Sequence, residues 1–113
     1  MEEQNKLLEA CKERGQYLSA LIDYQDDSVV SKTIIDKQAG TITLFAFDKG
    51  QGLSKHQASY DATVLIVEGQ AIITIGDKEH RVSAGQIIIM PANVPHSVNA
   101  RERFKMLLIM IRS

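Results

Sequence analysis

A single cysteine, Cys11, is all this chain contains, so no intrachain disulfide can form and a reducing compartment is the expected setting. No apolar run approaches the roughly 18 residues needed to cross a bilayer. The opening segment, MEEQNKLLEACKERG, is acidic and lacks the apolar stretch of a secretory signal, so the expected location is cytoplasmic. Charge of either sign is not in excess: 13 Lys and Arg stand against 14 Asp and Glu, for a net charge of −1, which offers no footprint for nucleic acid or an anionic membrane surface. No glycine-rich loop joins a strand to a helix ahead of a lysine, which removes the common nucleotide-binding signatures. Three histidines without a nucleophile elbow do not support a Ser-His-Asp assignment. Repeats, low-complexity tracts and linkers are also missing.

What is present is an ordinary globular mix, 44% hydrophobic and 24% charged, in 113 residues, the size of one domain with one core. Two parts are expected: an N-terminal helix and arm over residues 1–27, and a β-barrel over residues 28–113. Residues 2–14 read as an amphipathic helix, with Leu7, Leu8 and Cys11 on one face and Glu2, Glu3, Lys6, Glu9 and Lys12 over the rest. Gly15 is the expected stop. Tyr17, Leu18, Leu21, Ile22 and Tyr24 form a second apolar cluster, open between a short helix and an extended arm. Gln25 to Ser28 is a turn. From there the pattern is β: strands over 29–35, 41–48, 53–57, 63–68, 71–75, 78–82, 87–90, 96–100 and 104–111, with a hairpin across Gly76-Asp77. Short strands at close spacing with glycine turns indicate an all-β sandwich or barrel.

Several of these strands, TVLIV, AIITI, QIIIM and FKMLLIMI, are apolar on both parities. A strand with one wet face should alternate. Both faces are therefore expected to be covered, one by the barrel interior and the other partly by the N-terminal segment and partly by a second copy of the chain. The expected assembly is an isologous homodimer.

The stretch Gly85 to Asn99, GQIIIMPANVPHSVN, carries a strand, a proline-bearing turn and a second strand that starts at His96. Gly85, Pro91 and His96 have the spacing of the second cupin motif, with Asn93 at a glycine position and Asn99 one place before the usual asparagine. Gly50, His56 and Gly69 have the spacing of the first motif. Over about residues 40–111 the chain thus resembles a small single-domain cupin. The fold this resemblance implies is all-β, a double-stranded β-helix or jelly-roll-type barrel, here with a short N-terminal helix. Metal-binding cupins generally use two histidines and a glutamate from the first motif and one histidine from the second. Here the second histidine and the glutamate positions are Ala58 and Ala62, leaving His56 and His96. Two imidazoles alone hold a divalent ion weakly, since metal sites of this kind want three or four protein ligands. Asp61 has the wrong parity for the interior, yet a bulge at Tyr60-Asp61 could turn it inward and complete a His56, His96 and Asp61 triad.

The resemblance places a cavity between the sheets. Its expected lining is His56, Ala58, Ala62, Val64, Met90 and His96, joined by Phe45, Met106, Val98 and Leu108. Such an apolar concavity with two polar groups suits a small ligand. The favoured expectation is a cupin that binds a small molecule between His56 and His96, with metal weakly held or absent. The alternative is a metal-dependent enzyme of the dioxygenase or isomerase class, using iron, zinc, nickel or manganese on His56, His96 and Asp61. A third is a barrel plugged by its own side chains, its histidines merely structural. Bland readings apply elsewhere: His80 as a solvated hairpin residue, Cys11 as helix packing, Asp26-Asp27 as a turn, Tyr60 as a loop aromatic, and Met90, Met106 and Met110 as core filling.

Overall fold

The computed structural model describes residues 2–112, with side chains from residue 6 onward. Helix α1 runs Glu2–Cys11, and a single 3₁₀ turn follows at Leu18–Ala20. Nine strands come next: β1 (Val29–Lys37), β2 (Gly40–Phe47), β3 (Gly52–His56), β4 (Ala62–Glu68), β5 (Gln70–Ile75), β6 (Lys78–Ser83), β7 (Ile87–Met90), β8 (His96–Asn99) and β9 (Phe104–Ile111). They form a five-stranded sheet in the order β1-β2-β9-β4-β7 and a four-stranded sheet in the order β3-β8-β5-β6, with every pairing antiparallel.

Strand parity fixes what lies between the sheets. From the five-stranded sheet, Phe47, Ala62, Val64, Ile66, Phe104 and Met106 point inward; Ala71, Ile73, Val82 and Val98 meet them from the other. The alternate residues of β2, Leu44 and Ala46, point outward and are also buried, under Ile22 with Leu7, Leu21 and Tyr24 from the N-terminal segment. One face of β2 is therefore barrel core and the other lies beneath the chain's own arm.

The helix ends earlier than Gly15. Glu13 takes a left-handed backbone (φ 58°), and the Gln16 side chain donates to the Ala10 carbonyl at 2.7 Å, so one of the orphan carbonyls at the helix end is satisfied there. Residues 17–24, open between helix and arm in the sequence, are one 3₁₀ turn followed by extended chain, with Tyr17 itself 85% exposed.

Polar groups fasten this arm. Lys105, an outward residue of β9, is buried, and its Nζ donates to the Ser19 carbonyl at 2.7 Å and lies 3.8 Å from Glu68 Oε2. The Tyr24 hydroxyl donates to Glu68 at 2.6 Å, and its ring lies under both Lys105 (4.8 Å) and Arg103 (5.1 Å). Burial, with Glu68 accepting the hydroxyl hydrogen, pushes the Tyr24 phenol well above its ordinary range. Arg103 in turn donates to Asp48 (2.7 Å) and Asp26 (2.8 Å), holding the Asp48 carboxyl down at about 2. Each buried charge therefore has partners, as burial demands.

Candidate functional site

Two connections of five residues, 57–61 and 91–95, close the same end of the barrel. The first leads from His56 to Ala62, the second from Met90 to His96. They are tied together by the Asn93 N–H donating to the Ala58 carbonyl (2.7 Å) and the Ala92 N–H donating to Asp61 Oδ1 (2.8 Å). Asn93 has φ 63°, so asparagine here supplies the left-handed backbone for which the motif uses glycine.

At this mouth each sheet presents one row. In the four-stranded sheet His56 pairs with His96, which also pairs with Ile75. In the five-stranded sheet Ala62 pairs with Met90 on one side and Met110 on the other. The imidazoles are thus cross-strand neighbours on one sheet, edge to face, with centroids 4.6 Å apart and planes inclined at 72°. Facing them is a row whose central member is only a methyl group. His96 is 3% exposed, while His56 stands at the rim in solvent.

Hydrogen bonding sets the tautomers. His56 Nδ1 lies 2.7 Å from the Ser54 carbonyl and His96 Nδ1 3.2 Å from the Val94 carbonyl. A carbonyl oxygen only accepts, so each Nδ1 carries the proton and each neutral ring is left with Nε2 as its free acceptor. His96 has its pKa lowered from 6.5, first by burial and then by the nearby His56 charge, against a smaller raising effect of the Val94 carbonyl. Below 6.5 the unfolded chain therefore holds more protons at this position than the folded one, so stability rises with pH across that window and is lost on acidification. The expected result is a Tm that drops between about pH 7.5 and pH 5 more steeply in the native protein than in His96→Gln. Parallel slopes for the two proteins would contradict it.

The remaining candidates separate by depth. Ala62, Met90 and His96 are buried at the mouth; Val64, Val98 and Met106 lie in the solid core; Phe45 and Leu108 are half-buried beside it; Ala58 sits in the first connection. Asp61 does not join the histidines. It lies between β3 and β4 in no strand, so no bulge re-aims it, and its carboxylate accepts the Ala92 N–H instead. Among the described residues, no three His, Cys, Asp or Glu side chains gather as a metal-holding group. The donor set is therefore two imidazole nitrogens, which does not fit a three- or four-ligand metal centre. His80, read as a solvated residue, is half-buried on β6 opposite Ile73. The charged neighbours in KEHRV hide that it shares parity with the buried Val82. Met110, weighed in the sequence between pocket lining and core filling, pairs with Ala62 in the facing row, as its parity with Met106 and Leu108 requires.

Two antiparallel sheets closed over one core, with a paired-histidine mouth, define a small jelly-roll barrel. The cupin domain model matches residues 43–112, and the chain belongs to that family. Among solved structures, it is similar to a conserved protein of unknown function from Streptococcus pyogenes (38% identity, TM-score 0.85, 89% of each chain covered). It is similar also to a cupin superfamily protein from Desulfitobacterium hafniense DCB-2 (29% identity, TM-score 0.85, 90% of this chain and 94% of that one). An uncharacterized protein of Streptomyces coelicolor is 32% identical over 56 residues, 50% of this chain, and the match spans about half of that relative (53%). Among the described residues, no helix is long and apolar enough to cross a membrane.

Proposed function

We propose that this cupin binds a small, partly apolar molecule at the mouth formed by His56, His96, Ala62, Met90 and Met110, without a tightly held metal ion. The observation that carries the reading is the pair of Nε2 acceptors, both oriented by backbone carbonyls, opposite an apolar row with a methyl at its centre. A mostly apolar recess with a few oriented polar groups is the usual form of a ligand site. The imidazoles fix the polar end of the ligand and the methionines cover its apolar body. Metal analysis of freshly purified protein is expected to find iron, zinc, nickel and manganese well below stoichiometry. A near-stoichiometric content of any of them would overturn the reading in favour of a metal-dependent cupin.

We further propose that the working form is an isologous homodimer, joined through the outer face of β7, β4 and β9. The arm covers β1, β2 and the Lys105 and Glu68 ends of β9 and β4, and leaves the histidine end of that sheet open, where Ile87, Ile89 and Ile111 are 59%, 45% and 66% exposed. The outward positions beyond Lys105 on these strands carry no charge, and an uncharged apolar face meets its own two-fold copy without a matching charge pattern. Light scattering is expected to give twice the chain mass for the native protein and the monomer mass for Ile89→Glu. A monomeric native protein at tens of micromolar would refute the dimer.

A further inference from the structure

The ligand class can be taken further, on the reading that a small molecule occupies this mouth. We infer that the ligand is uncharged and presents two neighbouring hydroxyl groups, each donating its hydrogen to one imidazole Nε2.

The two rings offer only acceptors. Both Nδ1 atoms are committed to carbonyls of their own strand or turn, so neither ring has a second hydrogen to donate while neutral. The mouth therefore presents two acceptors side by side, and a complementary ligand must bring two donors. An acceptor-only group, such as a carboxylate or phosphate, would face two lone pairs. To bind it, both imidazoles would have to be protonated at centroids only 4.6 Å apart, with His96 inside the barrel.

Geometry narrows the donor type. The rings are inclined at 72°, so no single plane contains both. A planar –NH₂ or amidine group fixes its hydrogens in one rigid plane, which can coincide with the plane of one ring only. Hydroxyl hydrogens rotate about their C–O bonds, so two adjacent hydroxyls can each turn to its own acceptor. A cationic donor also lacks a counter-charge, since among the described residues no carboxylate gathers with the two imidazoles. Opposite the histidines, Ala62 between Met90 and Met110 gives a soft apolar surface, suited to a flat or aliphatic carbon body.

The test titrates the protein at pH 7.5 with catechol, 2-methoxyphenol, benzamidine and benzoate. It follows heat and the ring resonances of His56 and His96. Catechol is expected to move both rings and to bind at least tenfold tighter than the other three, because a site built to receive a hydrogen rejects analogues that lack it. His56→Phe, a change at an exposed rim position, is expected to erase the preference for catechol over 2-methoxyphenol. Benzoate or benzamidine binding at the rings as tightly as catechol would overturn the hydroxyl inference and leave small-molecule binding standing. So would equal binding of catechol and 2-methoxyphenol. If none of the four moves either ring, the inference and the small-molecule reading fall together.

Discussion

Replacing Phe104 by alanine is expected to remove about 4 kcal/mol of unfolding free energy, among the largest effects available to a single side chain in this barrel. Phe104 opens β9, is fully buried, and pairs across the ladder with Phe47, their rings stacked at 4.5 Å and 10°. Phe47 stacks in turn on Phe45 at 5.9 Å. The three aromatics occupy the end of the barrel away from the histidines, so truncating Phe104 leaves a void inside the core that both sheets enclose. Those strands are tied by ladder hydrogen bonds and cannot collapse inward, which puts the loss toward the upper part of the usual range for a buried aromatic. Aromatic stacking is lost with the ring, adding to its area term. Against a total stability of roughly 5–15 kcal/mol for a domain of this size, that is a large fraction. Urea unfolding should show the midpoint fall at an unchanged slope, the sign of a stability change without a change in the surface exposed. A loss below about 1.5 kcal/mol would mean that the site relaxes around the missing ring and that the core is softer than its burial indicates.

The distance between this aromatic end and the histidine mouth explains why the sequence is so readable in one respect and so mute in another. Strand positions come through within a residue or two because β-branched runs are bounded by glycine and proline, both local signals. The β7 and β9 limits, Ile87–Met90 and Phe104–Ile111, agree with the expectation residue for residue. The histidine pair is legible through motif spacing, and Asn93 takes the glycine conformation that its place in the motif requires. What is not legible depends on pairs far apart in the chain. Lys105 sits in a run that reads as pure core, and the Ser19 carbonyl, 86 positions away, makes its burial tolerable together with Glu68 and the Tyr24 ring. Arg103 reaches back 77 positions to Asp26, so a doublet that reads as a plain turn also anchors the arm. Asp61 is a ligand candidate in the sequence only through a bulge that would reverse its parity. Its actual partner, the Ala92 N–H, belongs to a turn whose path no local pattern reveals. Tautomers are the clearest case: that both Nδ1 atoms face carbonyls follows from backbone placement, not from residue type, and it decides what the mouth can recognise.

Gly69→Ala is expected to cost about 3 kcal/mol, although it adds one carbon atom to a solvent-facing turn. Gly69 links β4 to β5 with φ 77°, a conformation that L side chains rarely adopt. A Cβ built there would lie 2.5 Å from the Arg103 carbonyl oxygen and 3.0 Å from the Phe104 Cβ. Arg103 immediately precedes β9 and is held by Asp26 and Asp48, and Phe104 opens it and is held by the stacked aromatics, so neither can move aside cheaply. Gly85 provides the internal control. Its φ is 87°, yet nothing lies within 4 Å of the place a methyl would take, so Gly85→Ala bears the backbone cost of about 1–2 kcal/mol and no clash. The difference between the two variants isolates the steric part, and equal losses would show that β9 yields at its first residue. Because Gly69 and Phe104 touch the same space, the double variant Gly69→Ala with Phe104→Ala is expected to lose less than the sum of the singles, the void accepting the displaced backbone. Strict additivity would mean that the glycine turn and the aromatic end are held independently, and that the close packing of β9 against this turn is not what requires glycine there.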